Sequence, residues 1–144
     1  MSDWSRDAAA RIKRREDEER IKNETALAQN RLLELNAPAL WQRLRELLVQ
    51  MCNELNSEPA MRDALLLNQK DSNDLRIDYP ARNGAISISF DPQRHYVMVS
   101  GTMGASYQIR PQLGTQEISF TDGNGMRLQI HEIGRKILNE LLRI

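Results

Sequence analysis

Apolar residues recur at two different periods along this chain. Up to about residue 67 they follow helical spacing, from Leu75 they alternate in twos, and from Ile130 the helical spacing returns. Between residues 3 and 35 there is no proline or glycine, and Ala, Arg, Glu and Lys dominate, which predicts a long helix. Residues 11–22 are nearly all charged, so that stretch is predicted to be solvated on most sides and to supply no core of its own. Within it Arg15 and Glu19, Glu16 and Arg20, and Glu18 and Lys22 stand four apart, the spacing at which helical side chains face each other.

The second half of this arm differs. Ile21, Thr25, Ala28, Leu32 and Leu35 follow a 4-3-4-3 spacing, a seam of about two heptads with a polar threonine in it. In one reading Leu32, Leu33 and Leu35 dock on the rest of the chain. In the other the seam pairs with a second copy or with a partner helix. A mostly polar helix of this length is rarely stable alone, which favours the partner.

Asn36-Ala37-Pro38 predicts a break, with Asn36 capping a new helix over residues 37–55. Leu40, Trp41, Leu44, Leu47, Leu48, Met51, Cys52 and Leu55 give that helix the clearest apolar row in the chain. Ser57, with Pro59 in the first turn, predicts a short helix to about Leu67, and residues 68–73 predict an exposed loop.

Past that loop Leu75, Ile77 and Tyr79 alternate with polar residues, as do Ile86, Ile88 and Phe90, then Tyr107 and Ile109, then Ile118 and Phe120. Tyr96-Val97-Met98-Val99 is apolar throughout and predicts a central strand covered on both faces. Turns are predicted at Arg82-Asn83-Gly84, Asp91-Pro92-Gln93, Gly101 to Gly104, Pro111-Gln112-Leu113-Gly114 and Asp122-Gly123-Asn124-Gly125. Met126, Leu128 and Ile130 form either a last short strand or the lead into the final helix. Ile130, Ile133, Ile137, Leu138, Leu141 and Leu142 make that helix amphipathic, and Gly134 interrupts it at a cost of about 1 kcal/mol relative to Ala. A close approach of helix to sheet would account for that glycine.

Connections this short make neighbouring strands antiparallel. The expected class is α+β. A helical arm over residues 1–36 precedes a globular domain over residues 37–144. That domain is a two-layer sandwich, an antiparallel meander of about five strands covered on one face by amphipathic helices.

Composition narrows the function more than it names it. The chain has 144 residues, with 20 basic and 20 acidic side chains and no formal net charge. Long-range steering toward nucleic acid or an anionic membrane gets no support from that balance. No apolar run approaches the ~20 residues needed to span a bilayer. Met1-Ser2-Asp3-Trp4 lacks the layout of a secretory signal, and Ser2 stands where myristoylation needs glycine. One cysteine, Cys52, allows no internal disulfide and suits a reducing compartment. A cytoplasmic protein without membrane attachment is expected.

Candidate chemistry is sparse. His95 and His131 stand far apart in sequence, and no His or Cys pair has metal-ligand spacing. Cys52 continues an apolar row, which points to a buried structural thiol. With Asp122 as first ligand of a calcium loop, the twelfth position is Ile133, where a glutamate is needed, so a plain turn is expected. Ser100-Gly101-Thr102-Met103-Gly104 matches neither phosphate-binding glycine pattern.

The expected function is therefore a non-catalytic interaction or assembly module with no cofactor and no metal. It forms a homo-oligomer or binds a helical protein partner through Ile21, Ala28, Leu32 and Leu35. The alternative is a small-molecule binder or enzyme with a pocket between sheet and helices. His95, Tyr96, Arg110 and His131 are its first suspects, and a deep pocket holding two or more of them would favour it. An RNA-binding module is the third reading. Arg76, Arg82, Arg94, Arg110 and Arg127 would then line the sheet, but only Tyr96 among the aromatics is placed to face outward, and Asp74, Asp78, Asp91 and Glu117 dilute the charge.

Overall fold

A computed structural model describes residues 3–112 and 116–144. One helix, α1 (Asp3–Ser57), runs for 55 residues, about 80 Å at the usual rise. Seven strands follow: β1 (Leu66–Asn68), β2 (Asp74–Tyr79), β3 (Gly84–Asp91), β4 (Tyr96–Gly101), β5 (Ala105–Pro111), β6 (Ile118–Thr121) and β7 (Arg127–Leu128). The closing helix is α2 (Ile130–Leu142). Each strand pairs antiparallel with the next, so the sheet order is the chain order. The class is α+β as expected. The sheet has seven strands rather than about five, the additions being the short β1 and β7 at its two edges.

One face of the sheet carries Leu75, Ile77, Ile86, Ile88, Phe90, Val97, Val99, Tyr107, Ile109 and Phe120, all buried. Ala37, Trp41, Leu44, Leu48 and Cys52 of α1 close over it, joined by Ile133, Ile137, Leu138 and Leu141 of α2. The opposite face is small and polar, with Ser87, Ser89, Met98, Ser106 and Gln108 along its middle strands. The expectation that β4 is covered on both faces is corrected here, since Val97 and Val99 are buried whereas Met98 is 45% exposed. Among the described residues, both helices pack on the inner face and neither lies over the outer one.

The break expected at Asn36-Ala37-Pro38 does not occur, and Pro38 sits inside α1. Asn36 caps nothing; its Nδ2 donates to the Leu32 carbonyl one turn back at 3.0 Å. Pro38 has no N–H for the Glu34 carbonyl, but both residues are exposed, so the carbonyl is open to solvent. Burial of Ala37, Trp41 and Leu44 on the other side holds both halves of α1 to one sheet.

The short helix expected from Ser57 to Leu67 is also absent. The Asn56 carboxamide bonds to both backbone groups of Leu65, donating to its carbonyl and accepting from its N–H, each at 2.9 Å. This clamp holds Leu65 extended at the mouth of β1. Arg62 and Asp63 reverse the chain with positive φ values of 38° and 61°. Side-chain competition for backbone groups has displaced helix propensity here.

Other turns match the sequence. Asn83 takes the left-handed conformation just before β3, as an Asn-Gly pair favours. The Asp122 carboxylate accepts from the N–H groups of Asn124 and Met126, both at 2.9 Å, so it closes a plain turn between β6 and β7. In the turn expected over Pro111-Gln112-Leu113-Gly114, Leu113 and Gly114 lie outside the described residues.

Gly134 packs against a helix, not against the sheet. A Cβ there would meet Met51 Sδ at 3.1 Å and Leu47 Cδ2 at 3.7 Å, so the glycine lets α2 approach α1 closely.

Candidate functional site

Residues 3–28 of α1 project from the body. Leu33 is the first residue of the helix to pack against the core, so an arm of roughly 40 Å lies free of it. Its ion pairs are local and long, Arg20 to Asp17 three back at 3.7 Å and Arg20 to Glu24 four on at 4.0 Å, and neither is one of the three pairs named from the sequence. Exposed ion pairs of this kind contribute little to stability.

The seam residues sit on this arm and its base. At 100° per residue, Ile21, Thr25, Ala28, Leu32 and Leu35 centre roughly 160° around the helix from the row that faces the sheet. Ile21, Thr25, Ala28 and Leu35 are exposed, whereas Leu32 is half-buried. Ile21 is 57% and Leu35 78% exposed, whereas Leu33, on the body side, is half-buried against the core. Of the three leucines that one reading docked together, Leu33 packs against the core, Leu32 is half-buried and Leu35 is exposed. Thr25 does not interrupt the helix, because its hydroxyl donates back to the Ile21 carbonyl at 2.9 Å.

A second feature lies where the arm meets the body. A cleft of about 440 Å³ runs between α1 and the β3–β4 turn, lined by Gln29, Asn30, Glu34, Arg94, His95 and Arg110 among others. Two of the four suspected residues meet there. The turn is built by Asp91, whose carboxylate accepts from the N–H groups of Gln93 and Arg94 at 2.9 and 3.0 Å. Those two backbone bonds, Arg94 first, hold the Asp91 carboxyl below its ordinary range. His95 takes a left-handed φ of 56°, which aims its ring toward α1. Its Nε2 is buried and has no hydrogen-bond partner. Among the described residues the only other such side-chain atom is the Tyr107 hydroxyl, whose pKa burial pushes up.

Arg110 adds less to the cleft than its position suggests. It shares a strand face with Gln108, and its Nη2 donates to Gln108 Oε1 on the outer side of the sheet. The guanidinium is therefore already engaged by a neighbour on its own strand. Tyr96 lies apart, in a shallow hollow with Ser89, Asp91, Pro92 and Met98. His131, in the first turn of α2, is exposed and lines neither.

On the outer face Arg76 is tied to Asp78, with its Nε 3.0 Å from Oδ1 and 3.2 Å from Oδ2. With Arg76 and Arg110 both engaged, that face presents no free row of guanidinium groups beside Tyr96. Cys52 is fully buried in the α1 row, and burial pushes its thiol up to about 11. Among the described residues no three His, Cys, Asp or Glu side chains cluster as metal donors, and no helix is long and apolar enough to cross a membrane.

Sequence reasoning did not single out a third feature, a groove of about 480 Å³ between a flank of α1 and Gln69 just past β1. Val49 lies in it with Arg45, Glu46, Gln50 and Asn53. Val49 is half-buried and also packs against the core, so the groove borders the body. No family model, curated protein or solved structure matches this chain.

Proposed function

We propose that this chain is a non-catalytic assembly module that self-associates through its helical arm. One observation carries the reading: Ile21, Ala28 and Leu35 of one heptad row are exposed on α1, with Leu32 of the same row half-buried beside them. Burying such a row against a second helix removes apolar surface from water, worth about 25 cal/mol per Å². Zero formal net charge leaves little long-range repulsion between copies. The lone buried thiol suits a reducing compartment, in keeping with a cytoplasmic location.

Light scattering tests the reading on the full chain and on a chain carrying Ile21→Lys and Leu35→Lys. Both positions are exposed, so neither change disturbs the fold. The unsubstituted chain is expected to be dimeric or larger at micromolar concentration, and the variant monomeric. A monomeric unsubstituted chain would end the self-association reading and leave only a foreign helical partner.

The second reading, a small-molecule binder, is favoured by the buried unpaired Nε2 of His95 beside the junction cleft. Against it, the cleft is largely polar, whereas small-ligand sites are mostly apolar. Chemical shifts of the His95 imidazole, followed while small carboxylates, phosphates and nucleotides are added, decide this. Saturable movement at millimolar concentration or below would revive the binder, and its absence would retire it.

A further inference from the structure

Two asparagines of this chain precede a glycine, Asn83 before Gly84 and Asn124 before Gly125. Glycine has no Cβ to shield its amide nitrogen and leaves the backbone free to turn. In an unfolded chain that nitrogen readily reaches the side-chain carbonyl carbon of the asparagine before it. Both asparagines are exposed, yet the fold treats the two pairs differently.

Asn83 is held away from that geometry. It takes a φ of 53° and a ψ of 30° at the end of the turn Pro80–Arg82. At that ψ the following nitrogen lies on the far side of the Cα from the side chain, so the peptide between residues 83 and 84 must rotate before a ring can close. Gly84 opposes the rotation. It is buried, it pairs with Tyr79 between two interior strands, and even a Cβ there would lie 3.0 Å from Leu141 Cδ1.

Asn124 has no such restraint. Residues 123–127 are all exposed, and a Cβ on Gly125 would meet nothing within 4 Å. The Gly125 N–H donates to the Asp122 carbonyl at 3.1 Å, and the Asp122 carboxylate holds the N–H groups of Asn124 and Met126. All three bonds lie within one turn, and β7 beyond it is a two-residue strand at the edge of the sheet. Opening this turn breaks local bonds alone, the kind of opening that costs least.

We propose that Asn124 is a site of spontaneous deamidation in the folded chain, and that the fold protects Asn83. The Gly125 nitrogen gives its proton to solvent and bonds to the Asn124 side-chain carbonyl carbon. The bond from that carbon to the carboxamide nitrogen breaks, and ammonia leaves with a proton taken from solvent. Water then opens the succinimide at either carbonyl, leaving aspartate or isoaspartate. Nothing is oxidised or reduced. Each event adds a negative charge to a chain of no formal net charge, and isoaspartate also adds a methylene to the backbone between β6 and β7.

Peptide mapping by mass spectrometry tests this on the full chain, incubated in warm, mildly alkaline buffer with and without denaturing urea. In the folded chain the peptide holding Asn124 is expected to gain the mass of a carboxamide-to-carboxylate change about tenfold or more faster than the peptide holding Asn83. In urea the two rates are expected to agree within about threefold, because the restraint on Asn83 is gone. Equal rates in the folded chain, or a faster Asn83, would overturn the proposal. So would a difference that persists in urea, since neighbouring residues and not the fold would then set it. Asn124→Gln, whose longer side chain would have to close a larger ring, is expected to end the conversion, and a gain persisting at that position would overturn the assignment.

Discussion

Trp41 of α1 stacks on Phe90 of β3, with ring centroids 5.9 Å apart and planes 13° from parallel. The same indole donates its Nε1–H to the Ser72 carbonyl at 2.8 Å, and Gln42 donates to that carbonyl at 2.9 Å. One side chain thus joins the helix to the inner face of the sheet and to the loop before β2. Trp41→Ala is expected to cost about 3–5 kcal/mol, a large share of an ordinary domain's stability. Trp41→Phe keeps a ring on Phe90 and leaves Gln42 on the Ser72 carbonyl, so about 1–2 kcal/mol is expected. Urea unfolding of both variants checks this. Equal losses would place the energy in the hydrogen bond and not in the stack.

Burial of Cys52 gives stability a dependence on alkaline pH. The unfolded thiol ionises near 9.0, whereas the folded one holds its proton to about 11. Between those values the folded state binds more protons than the unfolded one, so stability falls as pH rises through the window. The thiol's share of that loss is at most about 2–3 kcal/mol. Cys52→Ala lacks this slope. The stability gap between the two proteins is expected to narrow from pH 9 to pH 11, and a constant gap would show that the thiol ionises normally in the fold. At neutral pH the native thiol should also react with a disulfide reagent only as fast as the protein unfolds.

These two sites show what the sequence made legible. Trp41, Leu44, Leu48 and Cys52 fall on one helical row, so their common burial follows from spacing alone. Leu75 to Phe120 follow from alternation. What spacing could not reveal was the outcome of competition between local and distant forces. Pro38 reads as a break because propensity counts one lost hydrogen bond, while Ala37 and Trp41 on either side are held by a sheet that begins thirty residues later. Residues 57–67 read as a helix because nothing local shows that Asn56 will bind Leu65. β1 and β7 are too short to carry a period. In the candidate site, the seam was legible as heptad spacing, and its exposure depended on where the body attaches. His95 and Arg110 meet only because β4 and β5 are neighbours.

Two glycines that look alike in sequence should respond very differently to a methyl group. Gly101 has a φ of 111°, and a Cβ there would lie 2.2 Å from the Ala85 carbonyl oxygen. That carbonyl also accepts from Thr102 N at 2.8 Å and cannot retreat without losing the bond. Gly101→Ala is expected to cost about 3 kcal/mol or more. Gly134 is helical, and the atom its Cβ would meet is the flexible end of Met51, at 3.1 Å. There the gain of about 1 kcal/mol in helix propensity opposes a small repacking cost, so Gly134→Ala should change stability by less than about 1 kcal/mol. Thermal unfolding of both variants checks the contrast. A large loss at Gly134 would mean that α2 and α1 cannot part by even a few tenths of an ångström.

His95 offers a test of whether the junction cleft serves structure or binding. The residue holds a left-handed backbone, which costs a non-glycine residue roughly 1–2 kcal/mol, and it buries an Nε2 with no partner. A residue kept only for packing would have to offset both costs with apolar contact, and the imidazole has little apolar surface to contribute. His95→Gly relieves the backbone and removes the unpaired nitrogen, so stability is expected to stay level or rise by about 1 kcal/mol. The bonds of the neighbouring turn are untouched, because Asp91 makes them with Gln93, Arg94 and the backbone N–H of residue 95. Urea unfolding gives the answer directly. A loss above about 2 kcal/mol would make the ring a structural anchor of the cleft wall, and the case for a binding role at that position would fall with it.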